Sequence, residues 1–123
     1  MGGHSILYLG RGEFAAGYLE SLRASVVCGD LRQSGSFDIP DGAGGTIDLA
    51  LVEVGPAMVQ SGHTLPSLLL SLRQFPVIAL TTLEREHRGI AAVRAGAQAY
   101  ICVDSTSPLE QEEIFNHAVQ RHR

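Results

Sequence analysis

The stretch Ile47-Asp48-Leu49-Ala50-Leu51-Val52-Glu53-Val54-Gly55-Pro56 settles the fold class. An unbroken apolar run of strand length, closed by glycine and proline, is the pattern of a strand buried on both faces. Such strands belong to parallel sheets covered by helices. The run carries one carboxylate at its far end, Glu53. Ligands and chemistry in open α/β sheets gather at the carboxyl ends of the strands, so Glu53 is the first candidate functional residue.

Upstream, Ser5-Ile6-Leu7-Tyr8-Leu9 reads as a first strand that ends at Gly10-Arg11-Gly12. Phe14, Ala15, Tyr18, Leu19 and Leu22 then recur at helical spacing. Ala24 to Cys28 reads as a short second strand. From Gly29 to Gly45 the periodicity collapses into turn signals, among them Ser34-Gly35-Ser36 and Pro40-Asp41-Gly42. If strands and helices alternate, the second helix belongs here and is expected to be shortened or replaced by loop.

Downstream, Thr64 caps a helix running from about Leu65 to Arg73, with Pro66 tolerated in its first turn. Pro76 to Leu80 is a fourth strand. Thr81-Thr82-Leu83-Glu84 has the capping-box spacing and is expected to open a helix to Ala95, closed by Gly96. Gln98 to Val103 is a fifth strand. Ser107-Pro108-Leu109-Glu110 is a second capping box, opening a helix expected to turn Leu109, Ile114, Phe115, Ala118 and Val119 inward. Five strand–helix units of this kind, joined by right-handed crossovers, fit a three-layer flavodoxin-like α/β sandwich with strand order 2-1-3-4-5. In that order Cys28 and Cys102 sit on opposite edges and cannot form a disulfide.

The 123 residues make one domain, 1–123. The net charge of −4 argues against a nucleic-acid surface. No apolar run approaches the roughly 18 residues of a membrane span, and Met1-Gly2-Gly3-His4 lacks the features of a secretory signal. A reduced, cytoplasmic setting is expected. The two cysteines and the histidines His4, His63, His87, His117 and His122 show no metal-ligand spacing, and no nucleophile–base pair is evident. Neither an enzyme nor a bound metal or cofactor is expected. All nine basic residues are arginines.

Pro76-Val77-Ile78-Ala79-Leu80-Thr81, then Arg94-Ala95-Gly96-Ala97-Gln98-Ala99-Tyr100-Ile101, closely resembles the receiver (CheY-like) domain of bacterial response regulators. So does the central strand, with its acid five residues after Asp48 and a proline just beyond. The resemblance implies a two-component or phosphorelay signalling module. Its closing helix, through Ala118 to Arg123, looks like those that lead into a sensor, kinase or cyclase module, so a longer protein is expected. In that family an acidic pair holds Mg²⁺, an aspartate accepts phosphate, and a Thr or Ser and a lysine share the transferred charge. Position by position, Gly10 and Arg11 stand where the acidic pair belongs, Glu53 at the phosphoacceptor position, and Val103 at the lysine position. The chain has no lysine to recruit. Thr81 and the aromatic switch residue, Tyr100, are retained. The resemblance is thus to a degenerate, pseudo-receiver type, expected to act independently of phosphorylation.

Three readings of Glu53 remain open at this point: a phosphate acceptor, a mimic of phosphorylated aspartate, or a polar strand-end residue tolerated at an open site. An Arg11–Glu53 ion pair in place of metal and lysine is a further expectation, with Thr81 as an additional donor. Thr81 also has the position of a helix cap, and Tyr100 that of an edge-strand tyrosine with its hydroxyl in water. A rival class is a nucleotide-binding domain built on the Gly10–Gly12 turn, with Asp30 placed for a ribose. If chemistry is absent, the working surface is expected to be a protein-interaction face. By the resemblance, this is the fourth helix, fifth strand and fifth helix, with Arg85, Arg88, Arg94, Tyr100, Glu112 and Glu113 suited to a homodimer.

Overall fold

In the computed structural model of the chain, residues 4–10, 16–24, 28–34, 47–55, 64–72 and 74–122 are described. Five strands, β1 (His4–Leu9), β2 (Cys28–Ser34), β3 (Leu49–Glu53), β4 (Val77–Thr81) and β5 (Ala99–Cys102), form one sheet in the order β2-β1-β3-β4-β5. Every pairing is parallel. The helices are α1 (Ala16–Arg23), α2 (Leu65–Ser71), α3 (Glu86–Ala95) and α4 (Pro108–His122). This is the expected flavodoxin-like sandwich. Of the stretch Gly29–Gly45, where the second helix is expected to be shortened or replaced by loop, residues 29–34 belong to β2 and residues 35–45 lie outside the described residues.

Two-residue alternation along the strands sorts the core into two layers. Leu7, Leu9, Ala50, Val52, Val77 and Ala79 face α2 and α3, meeting Leu68, Leu69, Leu72 and Ala92. Ile6, Tyr8, Leu49, Leu51, Ile78 and Leu80 face the other way, against Leu22 of α1 and Phe115, Ala118 and Val119 of α4. Both faces of β3 are therefore dry, as its unbroken apolar run requires. Each such leucine, fully withdrawn from water, contributes about 1.5–3 kcal/mol.

The helix ends follow their side-chain chemistry. Thr64 Oγ1 accepts the Ser67 N–H at 3.4 Å. Ser107 Oγ accepts the Glu110 N–H at 3.2 Å while its hydroxyl donates to Glu110 Oε1 at 3.1 Å. Gly96, at φ +128°, closes α3, and the next N–H returns to the Ala92 carbonyl at 3.0 Å.

Three expectations are corrected. The second strand is Cys28–Ser34 rather than Ala24–Cys28; Ala24 is a turn residue. As an edge strand it sets Leu31 against the core, beside Ile6, and its exposed Asp30, Arg32 and Gln33 leave no apolar alternation to mark it. Thr81 and Thr82 do not cap a helix through their side chains. Leu83–Arg85 forms a 3₁₀ turn with no side-chain cap bond before α3 begins. Leu109 does not face inward: it is 67% exposed, and Gln111 takes its place in the buried stripe with Phe115, Ala118 and Val119. One helical turn before Phe115 lies position 111, whereas 109 falls on the opposite side of the cylinder.

Candidate functional site

β3 ends on Glu53, which is wholly buried, although it stands at the carboxyl end of the sheet. Its side chain shares a face with Leu49 and Leu51, the layer beneath α1 and α4. Tyr8 of the neighbouring β1 points the same way and is also wholly buried. The Tyr8 hydroxyl donates to Glu53 Oε2. Two polar groups that burial would each penalise thus satisfy one another, and a hydrogen bond to a carboxylate is among the stronger kinds.

Gly10 completes the enclosure. It follows β1, takes φ +145°, and ties β1 to the edge strand through its N–H to the Ser34 carbonyl at 3.2 Å. A Cβ on this residue would come within 2.7 Å of Glu53 Cγ and closer still to the carboxyl group. Position 10 is therefore a glycine for two reasons, backbone conformation and the space Glu53 occupies. Of the three readings of Glu53, that of a polar residue at an open strand end is contradicted: the carboxylate is wholly buried, packed against Gly10 and bonded to Tyr8. The space a pyrophosphate would need against Gly10 holds the Glu53 carboxyl group. Asp30 is exposed on β2. Arg11 and Gly12 lie outside the described residues, as does the expected Arg11–Glu53 pair.

Thr81, at the end of β4, is buried, and its hydroxyl donates to the Arg85 carbonyl at 2.9 Å. It closes the 3₁₀ turn rather than a helix N-terminus. The same turn is tied at two other points: the Leu83 N–H donates to Asp104 Oδ1 at 2.9 Å, and the Tyr100 hydroxyl donates to Glu86 Oε2 at 2.7 Å. The Tyr100 ring lies on Gly89 of α3, where a Cβ would meet the ring at 2.5 Å. Tyr100 is half-buried on the edge strand β5, and its hydroxyl is bonded to Glu86. That bond to the Glu86 carboxylate, aided by burial, raises the phenol pKa above its ordinary value. Val103, at the lysine-equivalent position, is half-buried against the α1/α4 layer, and its N–H donates to the Thr81 carbonyl at 2.9 Å. Next to it, burial pushes the Cys102 thiol up, with the Glu86 and Asp104 charges adding to the effect.

The structure thus brings Gly10 and Glu53 together, ties Thr81 and Tyr100 to Arg85 and Glu86 around the turn before α3, and bonds Val103 to the end of β4 through Thr81. The residue that sequence reasoning missed is Tyr8. The signal was a lone hydroxyl-bearing side chain in an otherwise aliphatic strand, which needs a partner when buried. Among the described residues, no group of three or more His, Cys, Asp or Glu side chains gathers as a metal site. No described helix is long and apolar enough to cross a membrane.

No family model matches the chain, and no curated protein sequence matches it. Solved structures do. A response regulator receiver domain protein from Clostridium thermocellum superposes with a TM-score of 0.70 at 17% identity, over 96% of this chain and 95% of that one. The CheY-like protein TadZ from Pseudomonas aeruginosa gives 0.66 at 19% identity, over 94% and 98%. ChrA, a response regulator of a heme-sensing two-component system, gives 0.70 at 18% identity; this chain covers 58% of its length. The fold is that of CheY-like receiver domains.

Proposed function

We propose that the chain is a degenerate receiver: a signalling module that keeps the receiver fold, performs no phosphoryl transfer and acts through protein contacts. The observation that carries this is the enclosure of Glu53 by Tyr8 and Gly10. A carboxylate that accepts a phosphoryl group must reach an in-line donor, with cations to share the charge that develops. Glu53 has its carboxyl group against a backbone where a methyl group would overlap. The surrounding sequence agrees: Gly10 and Arg11 replace the metal-holding acids, Val103 replaces the lysine, and the chain contains no lysine.

In this account Glu53 is a buried structural group joined to Tyr8. The likeness to receivers, and the occurrence of their fold within longer response regulators such as ChrA, support a role inside two-component signalling. The contact surface is α3, β5 and α4, the positions expected of the fourth helix, fifth strand and fifth helix. There Arg85, Arg94 and Glu113 are exposed, and Arg88, Tyr100 and Glu112 are half-buried. With Tyr100 bonded to Glu86, that face keeps one shape without a phosphorylation signal, and it serves a partner, an output module or a second copy.

The test is incubation with acetyl phosphate and Mg²⁺, followed by intact mass measurement, with an active receiver as positive control. The expected result is an unmodified chain. A phosphoryl adduct that maps to Glu53 would overturn the proposal.

A further inference from the structure

We propose that β2 is a self-association edge, through which two copies of this chain join their sheets by antiparallel pairing of Cys28–Ser34 about Leu31. Among the described residues, β2 is the outermost strand on its side of the sheet and its ladder bonds run to β1. An unpaired strand edge is a row of backbone donors and acceptors ready for another strand. The Ser34 carbonyl accepts from Gly10 and so points toward β1. By the alternation of a parallel ladder, Asp30 and Arg32 also turn their backbone groups to β1, while Leu31 and Gln33 turn theirs outward. The outward set is what a partner strand would read.

The side chains select the partner. In a two-fold antiparallel pair centred on Leu31, Leu31 faces Leu31 of the other copy, and both exchange their outward backbone bonds. Asp30 then faces Arg32 of the other copy, and Arg32 faces its Asp30. Both side chains are exposed, and both stand on the sheet face opposite Leu31. The Asp30–Arg32 pairs fall at the non-hydrogen-bonded positions, where Cα atoms approach to about 4.5 Å and side chains interact best. A parallel pairing of the same two edges would turn one sheet over and set Leu31 of one copy beside Asp30 or Arg32 of the other, without either cross-strand charge pair. A slip by one residue would match backbone groups that point inward with those that point outward. Charge and hydrogen-bond phase therefore favour the same register, and it is self-complementary, as an isologous interface must be. This surface is separate from the α3–β5–α4 face and from the Glu53 pocket, so its failure or success is independent of the phosphoryl result.

Sedimentation equilibrium of the 123-residue chain tests it, with D30R, R32D, their equimolar mixture and the double variant D30R/R32D. Circular dichroism checks that each one folds. Each single reversal turns both cross-strand attractions into repulsions and should weaken the dimer by about tenfold or more. In the mixture, a D30R chain is basic at both positions and an R32D chain is acidic at both. A heterodimer of the two should therefore recover wild-type affinity, and the double variant should recover it alone. A wild-type chain that stays monomeric at its highest soluble concentration would overturn the proposal. So would a dimer indifferent to both reversals, or single variants that weaken it without rescue on mixing. A dimer weakened by Ile90→Asp on α3 and by neither β2 reversal would place the interface on the other face and likewise overturn it.

Discussion

Gly10→Ala is the sharpest probe of the Glu53 pocket, because its cost has two separable sources. At φ +145° an L side chain strains the backbone, a cost of about 1–3 kcal/mol wherever it occurs. The new methyl would also lie within 2.7 Å of Glu53 Cγ, and relieving such an overlap in a packed interior costs about 1–3 kcal/mol more. Together they reach about 2–6 kcal/mol, a large fraction of the roughly 5–15 kcal/mol that holds a domain folded. Glu53→Ala removes the overlapping atoms and leaves the backbone strain untouched. Urea unfolding of wild type, Gly10→Ala, Glu53→Ala and the double variant, followed by far-ultraviolet circular dichroism, completes the cycle. The double variant should be more stable than the sum of the single effects by about 1 kcal/mol or more, since the methyl then fills space that Glu53 has vacated. Additive costs, within about 0.5 kcal/mol, would mean that Glu53 does not occupy the space above Gly10, and the enclosed-carboxylate account would fail.

Two other perturbations read the elements around the pocket. The Tyr100 phenol has a raised pKa in the fold, first through its bond to Glu86. Its contribution is therefore complete below the unfolded value of about 10 and is lost as pH rises through the higher folded value. Wild-type stability should fall more steeply above about pH 10 than that of Tyr100→Phe, and parallel denaturation curves would contradict the Tyr100–Glu86 bond. Ser107→Ala removes the side-chain cap of α4 and should lower stability by about 1 kcal/mol in the same urea assay. An unchanged midpoint would show that the first turn of α4 does not depend on that hydroxyl.

The dry central strand and the capping box of α4 were legible because each is a local pattern: an apolar run, or a serine three residues before a glutamate. The parallel order followed from alternation. Thr64 was recognised as a cap for the same reason. What failed were features decided by neighbours far away in the chain. β2 carries too little apolar signal to mark itself, because Leu31 is placed in the core by pairing with β1. Thr81 was assigned to a helix that starts later, since Glu86 and not Leu83 opens α3. Leu109 was placed inward by composition, where the helical phase set by Phe115 turns it to solvent. Glu53 stands out by its place at the strand end, but its burial is not legible, because Tyr8 and Gly10, which pack against it, lie more than forty residues earlier. Tyr100 was recognised from its position, whereas its tie to Glu86 depends on how α3 lies over β5.

The most direct measurement of the central claim is an amide ¹⁵N–¹H NMR titration with Mg²⁺ followed by beryllofluoride, which imitates an acyl phosphate. A Glu53 enclosed by Tyr8 and Gly10 should leave the spectrum unchanged at both steps. Saturable shifts clustered at Glu53, Thr81 and Tyr100 would show a site that still takes metal and a phosphoryl-like ligand, and would contradict the account.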